Sequence, residues 1–195
     1  AGSRPDPKDR IAVASQMALV TSGEVRGDQL VATLETILRG DPQNPQAHLR
    51  LGYAHIERGR CDSAEPHLRA AVKAGVPSAD AGLGLADCLT RTGDVRGAAA
   101  ALAAARNAEP GNPVVSANIG LLALQEGRLT TAIAELRAAL RVDPRLLQAR
   151  FGLARALARS GDREGAATEA RELLSQLPPN APQRAEVERL INAVK

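Results

Sequence analysis

The three histidines and two cysteines are the side chains of this 195-residue sequence best suited to bind a metal ion or to act as a nucleophile. Zinc sites combine Cys, His and carboxylate ligands at short spacing. His48 and His55 lie seven residues apart, and no Cys or carboxylate completes a zinc spacing around them. A metalloprotease helix needs two histidines four residues apart with Glu beside the first, which the segment around His55 lacks. We therefore predict no metal site and no cofactor.

Cys61 and Cys88 offer either two thiols or one disulfide bond. They fall in two neighbouring helical segments, so packing of these segments could bring them within reach, but a disulfide requires Cα atoms roughly 4.4 to 6.8 Å apart. Because free cysteines are often buried, we expect two buried or half-buried unpaired thiols and leave the pairing open. No Ser-His-Asp or Cys-His arrangement can be assigned either. We predict a protein that is not an enzyme.

The elements that position these residues recur every 34 residues. The segment from Pro113 to Leu146 holds two apolar stretches at helical spacing, broken at Gly127 and closed at Pro144. A glycine accepts the backbone angles that end a helix, a small residue lets the second helix approach closely, and a proline stops it. These marks recur in register as Gly59, Gly93, Gly127 and Gly161, as Ala64, Ala98, Ala132 and Ala166, and as Pro42, Pro110, Pro144 and Pro178. Such helical hairpins must stack to cover their apolar sides.

This pattern resembles the tetratricopeptide repeat family, whose 34-residue unit carries a leucine-glycine pair, aromatic residues, Ala, a large apolar residue and Pro at fixed offsets. Leu51-Gly52 and Ile119-Gly120 match the pair. The family's Trp is replaced by His48, Gly82, Ser116 and Arg150. At the place of the family's Tyr, His55 is interpreted as a packing residue.

The resemblance implies an all-α fold, a right-handed α-solenoid of helix-turn-helix repeats with a C-terminal capping helix. The expected divisions are a polar N-terminal segment or linker (1–10), a degenerate first repeat (11–44), four regular repeats (45–78, 79–112, 113–146 and 147–180) and the capping helix (181–195). The irregular first repeat and the last helix are expected to close the ends of the array.

In this family the first helices line a concave groove that holds a peptide or a helix of a partner. The resemblance therefore predicts a peptide-binding groove made by Leu49, Tyr53, Ile56, Leu83, Asp87, Arg91, Leu121, Leu124, Phe151, Arg155 and Arg159. The only two aromatic residues of the chain are in this set, and aromatics are common interface anchors. Arg155 and Arg159 favour an acidic residue or C-terminus on the partner. The family's carboxylate clamp is disfavoured, because Leu49 and Tyr53 stand where it needs Lys and Asn.

The leading functional prediction is a non-catalytic scaffold that binds a protein partner in this groove. The alternative is the repeat tail of a larger, sulfatase-like bacterial enzyme, used for dimerisation or positioning; self-assembly into a homo-oligomer is a third hypothesis. A net charge of +3 spread over mixed helices disfavours nucleic acid as a partner. No apolar run approaches the roughly 18 residues of a membrane span. The compartment stays open between a bacterial cytoplasm and periplasm.

Overall fold

The protein is all-helical over residues 7–194, the part of the chain that this computed structural model describes. The helices divide between two compact units, with the boundary after Glu109. Unit 1 holds six helices, namely α1 (Pro7–Ser22), α2 (Gly27–Gly40), α3 (Pro45–Glu57), α4 (Cys61–Lys73), α5 (Asp80–Thr92) and α6 (Val95–Ala108). Unit 2 holds five, namely α7 (Pro113–Gln125), α8 (Leu129–Val142), α9 (Leu147–Ser160), α10 (Arg163–Gln176) and α11 (Arg184–Ala193).

The two ends of the chain can be compared with the expected N-terminal segment (1–10) and the expected capping helix (181–195). Residues 1–6 of the expected N-terminal segment and Lys195 of the expected capping segment lie outside the described residues. Residues 7–10 belong to α1, so this part of the expected linker is helical. At the other end, α11 buries Val187, which is 1% exposed, and leaves Glu188 in solvent. A charge is tolerated at residue 188 because that side of the helix is uncovered.

The helix boundaries follow from capping residues in the sequence. Asn44 and Asn112 precede the prolines that open α3 and α7, and their side-chain oxygens accept hydrogen bonds from backbone N–H groups of the first turn. Asp94 and Asp162 do the same for α6 and α10. The predicted glycine turns are confirmed; Gly93, for example, has φ 84° and ends α5 in the left-handed conformation.

Small residues at fixed places let the two helices of a hairpin approach each other. The alanines predicted to face the neighbouring helix are all 0% exposed, namely Ala64, Ala98, Ala132 and Ala166. In the α3–α4 hairpin, a Cβ on Gly52 would lie 2.6 Å from the side chain of Leu68, which is itself 0% exposed. The Leu68 side chain therefore packs directly against the backbone at Gly52. Burial of one such leucine contributes roughly 2 kcal/mol to the stability of the hairpin.

At two of the four places where the family carries Trp, a polar side chain donates to a backbone carbonyl six residues earlier. His48 Nε2 donates to the carbonyl of Pro42 at 3.1 Å, and Arg150 Nη2 donates to the carbonyl of Pro144 at 2.9 Å. Each of the two side chains also meets a polar partner 19 residues later, on the second helix of its hairpin. These contacts are His48 Nδ1 to His67 Nδ1 at 3.0 Å and Arg150 Nη1 to Glu169 Oε2 at 2.8 Å.

In the α5–α6 hairpin the same position is Gly82, and there the helices touch directly. A Cβ on Gly82 would lie 2.6 Å from the backbone oxygen of Ala101 and 2.8 Å from the Cβ of Ala105. Ala101 stands 19 residues after Gly82, as His67 stands after His48. The missing Trp is therefore matched by a small residue on the second helix, and the two helices close the space.

Cys61 and Cys88 form a disulfide bond between α4 and α5, with Cα atoms 5.1 Å apart. The expectation of two unpaired thiols was wrong. Both cysteines are buried, as expected, but α4 packs along α5 and brings the first residue of one helix beside the last turns of the other. The sequence could not decide this, because the separation of the two Cα atoms depends on how neighbouring hairpins stack.

Candidate interaction surface

In unit 1 the predicted groove residues lie on α3 and α5, the first helices of their hairpins. Leu49 is 8% exposed and so belongs to the interior, whereas Tyr53, Ile56 and Leu83 are half-buried. The exposed pair on α5 is Asp87 and Arg91, whose charged atoms are 4.0 Å apart. This part of the face is thus a shallow apolar strip beside a weak, solvent-exposed ion pair.

Tyr53 has a structural role in addition to any binding role. Its hydroxyl donates to the backbone carbonyl of Asp80 at 2.9 Å, which ties α3 to the start of α5. A Cβ on Gly84 would lie 3.3 Å from the side chains of Tyr53 and Ile56, so both pack over that glycine. Burial raises the pKa of Tyr53 to about 12, with smaller contributions from the charges of Asp80 and Asp87. The hydroxyl therefore stays protonated and remains a donor at physiological pH.

In unit 2 the predicted residues lie on α7 and α9, and they differ in how available they are. Leu124 is 4% exposed, so its side chain is interior. Its backbone carbonyl accepts a hydrogen bond from Arg159 Nη1 at 2.8 Å, so Arg159 fastens α9 to α7. Leu121 packs over Gly152, where an added Cβ would lie 2.6 Å from it. These three residues stabilise the α7–α9 contact.

Phe151 and Arg155 lie one turn apart on α9 and combine a half-buried ring with an exposed guanidinium. Phe151 is half-buried against the cluster that includes Leu173 and Val187. Arg155 is exposed, and its guanidinium carbon lies 5.7 Å from the centre of the Phe151 ring, within the range of a cation–π contact. An exposed arginine on an aromatic ring is held in place without using all its hydrogen-bond donors.

Beside Phe151 lies a pocket of about 590 Å³. The walls come from α9, from the end of α10 and from α11, and are mainly apolar: Leu147, Phe151, Leu173, Leu177, Pro178 and Val187. Gln148, Asn180, Gln183 and Glu186 stand around it. Arg184 Nη1 donates to the carbonyls of Leu174 and Leu177, which fixes the turn between α10 and α11 and hence one wall.

Sequence reasoning placed Phe151 on the groove face but did not predict this pocket. The apolar spacing of α11 was visible as Val187, Leu190, Ile191 and Val194, and the break at Pro178 was visible too. Neither signal says how the last helix sits against α9 and α10. The pocket depends on that placement, so it could not be read from the repeat pattern.

Among residues 7–194, no group of three or more His, Cys, Asp or Glu side chains is arranged to hold a metal ion. Nor is any helix within the described range long and apolar enough to cross a membrane. His55, interpreted as a packing residue, is half-buried and stacks on His67 with ring centres 5.9 Å apart.

Comparison with known proteins identifies the repeat. Two family models described as tetratricopeptide repeat match residues 49–113 and 123–194. A search of curated proteins returns no match.

Solved structures agree on the fold. YrrB, a TPR protein with an unusual peptide-binding site, is 18% identical with a TM-score of 0.73, over 91% of this chain and 90% of that one. MamA from Desulfovibrio magneticus RS-1 is 17% identical with a TM-score of 0.72, over 89% of this chain and 97% of that one. A thermophilic TPR protein from Thermus thermophilus is 20% identical with a TM-score of 0.68, over 94% of this chain and 99% of that one. At these identities the likeness concerns the fold, and it confirms the predicted α-solenoid of helical hairpins. Since the two family models together span more than half of the sequence, the chain belongs to the tetratricopeptide repeat family.

Proposed function

We propose that this protein is a non-catalytic interaction scaffold that binds a segment of a partner protein on the faces of its first helices. Tetratricopeptide repeat proteins generally serve as scaffolds for protein–protein interaction, and the fold belongs to this family. One of the similar structures, YrrB, is a TPR protein with an unusual peptide-binding site. The sulfatase-tail alternative receives no support from the matched family models or from these structures.

The observation that carries the proposal is the Phe151–Arg155 pair at the edge of the apolar pocket in unit 2. Protein interfaces place aromatic and arginine side chains at their centres, next to hollows that receive an apolar group of the partner. Leu49 and Leu124 are buried, Leu121 packs over Gly152, and Arg159 already donates to the carbonyl of Leu124, so the binding residues are the remaining members of the predicted set. In unit 2 these are Phe151 and Arg155, with the pocket walls as the anchor site.

The charge of this face indicates what it binds. Arg155 is exposed and presents a guanidinium whose fork matches a carboxylate, so an acidic residue or C-terminus of the partner is favoured beside the apolar anchor. We therefore propose a partner segment with one large apolar side chain in the pocket and a carboxylate at Arg155.

Replacing Arg155 with Glu is expected to weaken binding of the partner by at least about tenfold, because the substitution reverses the charge that faces the partner's carboxylate. The partner is first captured with the full chain and identified, and its dissociation constant is then measured by calorimetry for both proteins. Arg155 is exposed and its ring contact, with Phe151, lies within its own helix, so the fold should be unaffected; circular dichroism checks this.

The matched control is Arg137→Glu. Arg137 is exposed on α8, a second helix, and carries the same charge away from the proposed surface. The Arg137→Glu variant should bind the partner with the affinity of the wild type. If the wild type, Arg155→Glu and Arg137→Glu bind the partner with equal affinity, the proposed surface is wrong. If both variants lose affinity equally, the effect of Arg155→Glu is a non-specific effect of charge. Light scattering on the free protein separates self-association from binding of another chain.

A further inference from the structure

All three histidines of the chain lie together in unit 1. His48 and His55 are on α3, and His67 faces them from α4. The Nδ1 atoms of His48 and His67 are 3.0 Å apart, and the rings of His55 and His67 are stacked with an interplanar angle of 14°. The contact between α3 and α4 therefore includes a cluster of titratable groups.

The hydrogen bonds fix where the protons are. The carbonyl of Pro42 only accepts, so the proton between it and His48 sits on Nε2. In neutral His48 the Nδ1 atom is then an acceptor, and His67 must donate from its own Nδ1. The pair can also hold one extra proton, since an imidazolium of His67 still donates. A charged His67 would keep this hydrogen bond but would lose hydration at a half-buried position stacked on the ring of His55.

The surroundings disfavour charging the cluster. Burial lowers the pKa of His67, and the charges of His48 and His55 lower it further. Burial also lowers the pKa of His55, followed by the charges of Arg58 and Arg60 in the turn between α3 and α4. The opposing group is Glu35 on α2, whose charge raises the pKa of both.

The sign of the pH effect follows from these directions. His55 and His67 have pKa values below the ordinary 6.5 when folded, so the unfolded chain binds more protons in mild acid. The stability that depends on the neutral rings is complete above about pH 6.5 and is lost as the pH falls from there through the folded pKa values.

The α9–α10 hairpin provides a contrast inside the same chain. Arg150 and Glu169 occupy the repeat positions of His48 and His67, and they form an ion pair of 2.8 Å that contains no histidine. We propose that the histidine cluster is a pH-sensitive contact that holds α3 against α4 at neutral pH and releases it in mild acid. Since α3 also carries Tyr53 and Ile56, the release acts on the unit 1 face; the contact itself does not depend on the proposed function.

Hydrogen exchange of the full chain, followed by mass spectrometry, tests the proposal. The readout is the protection of α3 and α4 amides relative to α9 and α10 amides, corrected for the intrinsic pH dependence of exchange. Between about pH 7.5 and about pH 5 this ratio should fall at least about threefold in the wild type. The double variant His48→Arg/His67→Glu, which copies the Arg150–Glu169 pair, should show a clearly smaller fall.

His67→Gln is the second variant, in case the transplanted pair does not fold. Its amide keeps a donor for His48 Nδ1 but does not titrate, so it should also reduce the fall. A ratio that stays constant in the wild type overturns the proposal. So does a fall of the same size in wild type and His67→Gln, which would assign the pH response to other groups.

Discussion

Reduction of the Cys61–Cys88 disulfide is expected to lower the free energy of unfolding of unit 1 by about 3 kcal/mol, because opening a cross-link raises the entropy of the unfolded chain. The bond spans 27 residues of sequence, which is a medium-sized loop in this respect. It joins α4 to α5 and so adds a covalent cross-link between two neighbouring hairpins that are otherwise continuous only through the short segment between those helices. Urea unfolding with and without reductant, followed by helical circular dichroism, measures the difference.

The control for this prediction is Cys61→Ala/Cys88→Ala. Its unfolding should resemble that of the reduced wild type and should not respond to reductant. If the oxidised wild type unfolds at the same urea concentration as the reduced protein, the bond contributes nothing to stability. Mass determination after alkylation without reductant establishes independently whether the thiols are paired.

Gly82→Ala is expected to destabilise the α5–α6 hairpin by about 2 kcal/mol, although alanine favours helices over glycine by about 1 kcal/mol. The reason is steric. A Cβ at residue 82 meets the backbone oxygen of Ala101 at 2.6 Å, and backbone cannot turn away as a side chain can. The two helices must move apart, which opens the contacts of Ala101 and Ala105, both now 3% exposed or less. Thermal unfolding of the full chain, or exchange of α5 and α6 amides, detects the loss.

Gly111→Ala is the matched control, because an added Cβ there meets nothing within 4 Å and the residue does not have a left-handed φ. We expect no loss of stability from this change, and a gain of a few tenths of a kcal/mol is consistent with a stiffer unfolded chain. Should Gly82→Ala be as stable as the wild type, the close approach of α5 and α6 would not be required for the fold.

Much of the fold could be predicted from residues that begin or end a helix through their own backbone or side-chain properties. Gly93 ends a helix because of its own backbone freedom, and Asn112 begins one because of its side chain, so neither depends on distant residues. The buried alanines were also predictable, because a repeat places them at one phase. The pairing of Cys61 with Cys88 was not predictable, since it depends on the offset between two hairpins.

The candidate surface shows the same division. Spacing placed Phe151 and Arg155 on one helix face, one turn apart, and the structure shows the arginine over the ring. Spacing did not show that Arg159, another turn on, is used to hold the carbonyl of Leu124. Nor did it show the pocket beside Phe151, because α11 is not a repeat of the pattern and its placement is decided by tertiary packing.

Contacts between the first and the second helix of each hairpin determine which segments of this protein can be exchanged, inserted or deleted. His48 fits His67, Gly82 fits Ala101, and Arg150 fits Glu169, each pair separated by 19 residues within one hairpin. A chimera cut inside a hairpin would combine the first helix of one hairpin with the second helix of another. Arg150 would then face Ala101 in place of Glu169, or His48 would face a helix that leaves no space for its ring. Cuts between hairpins keep each of these three pairs together, but a cut between α4 and α5 separates Cys61 from Cys88. The exchangeable module is therefore the whole hairpin, with the α3–α4 and α5–α6 hairpins kept together to preserve their disulfide bond, and insertions, deletions or duplications of repeats should be tolerated only in that frame.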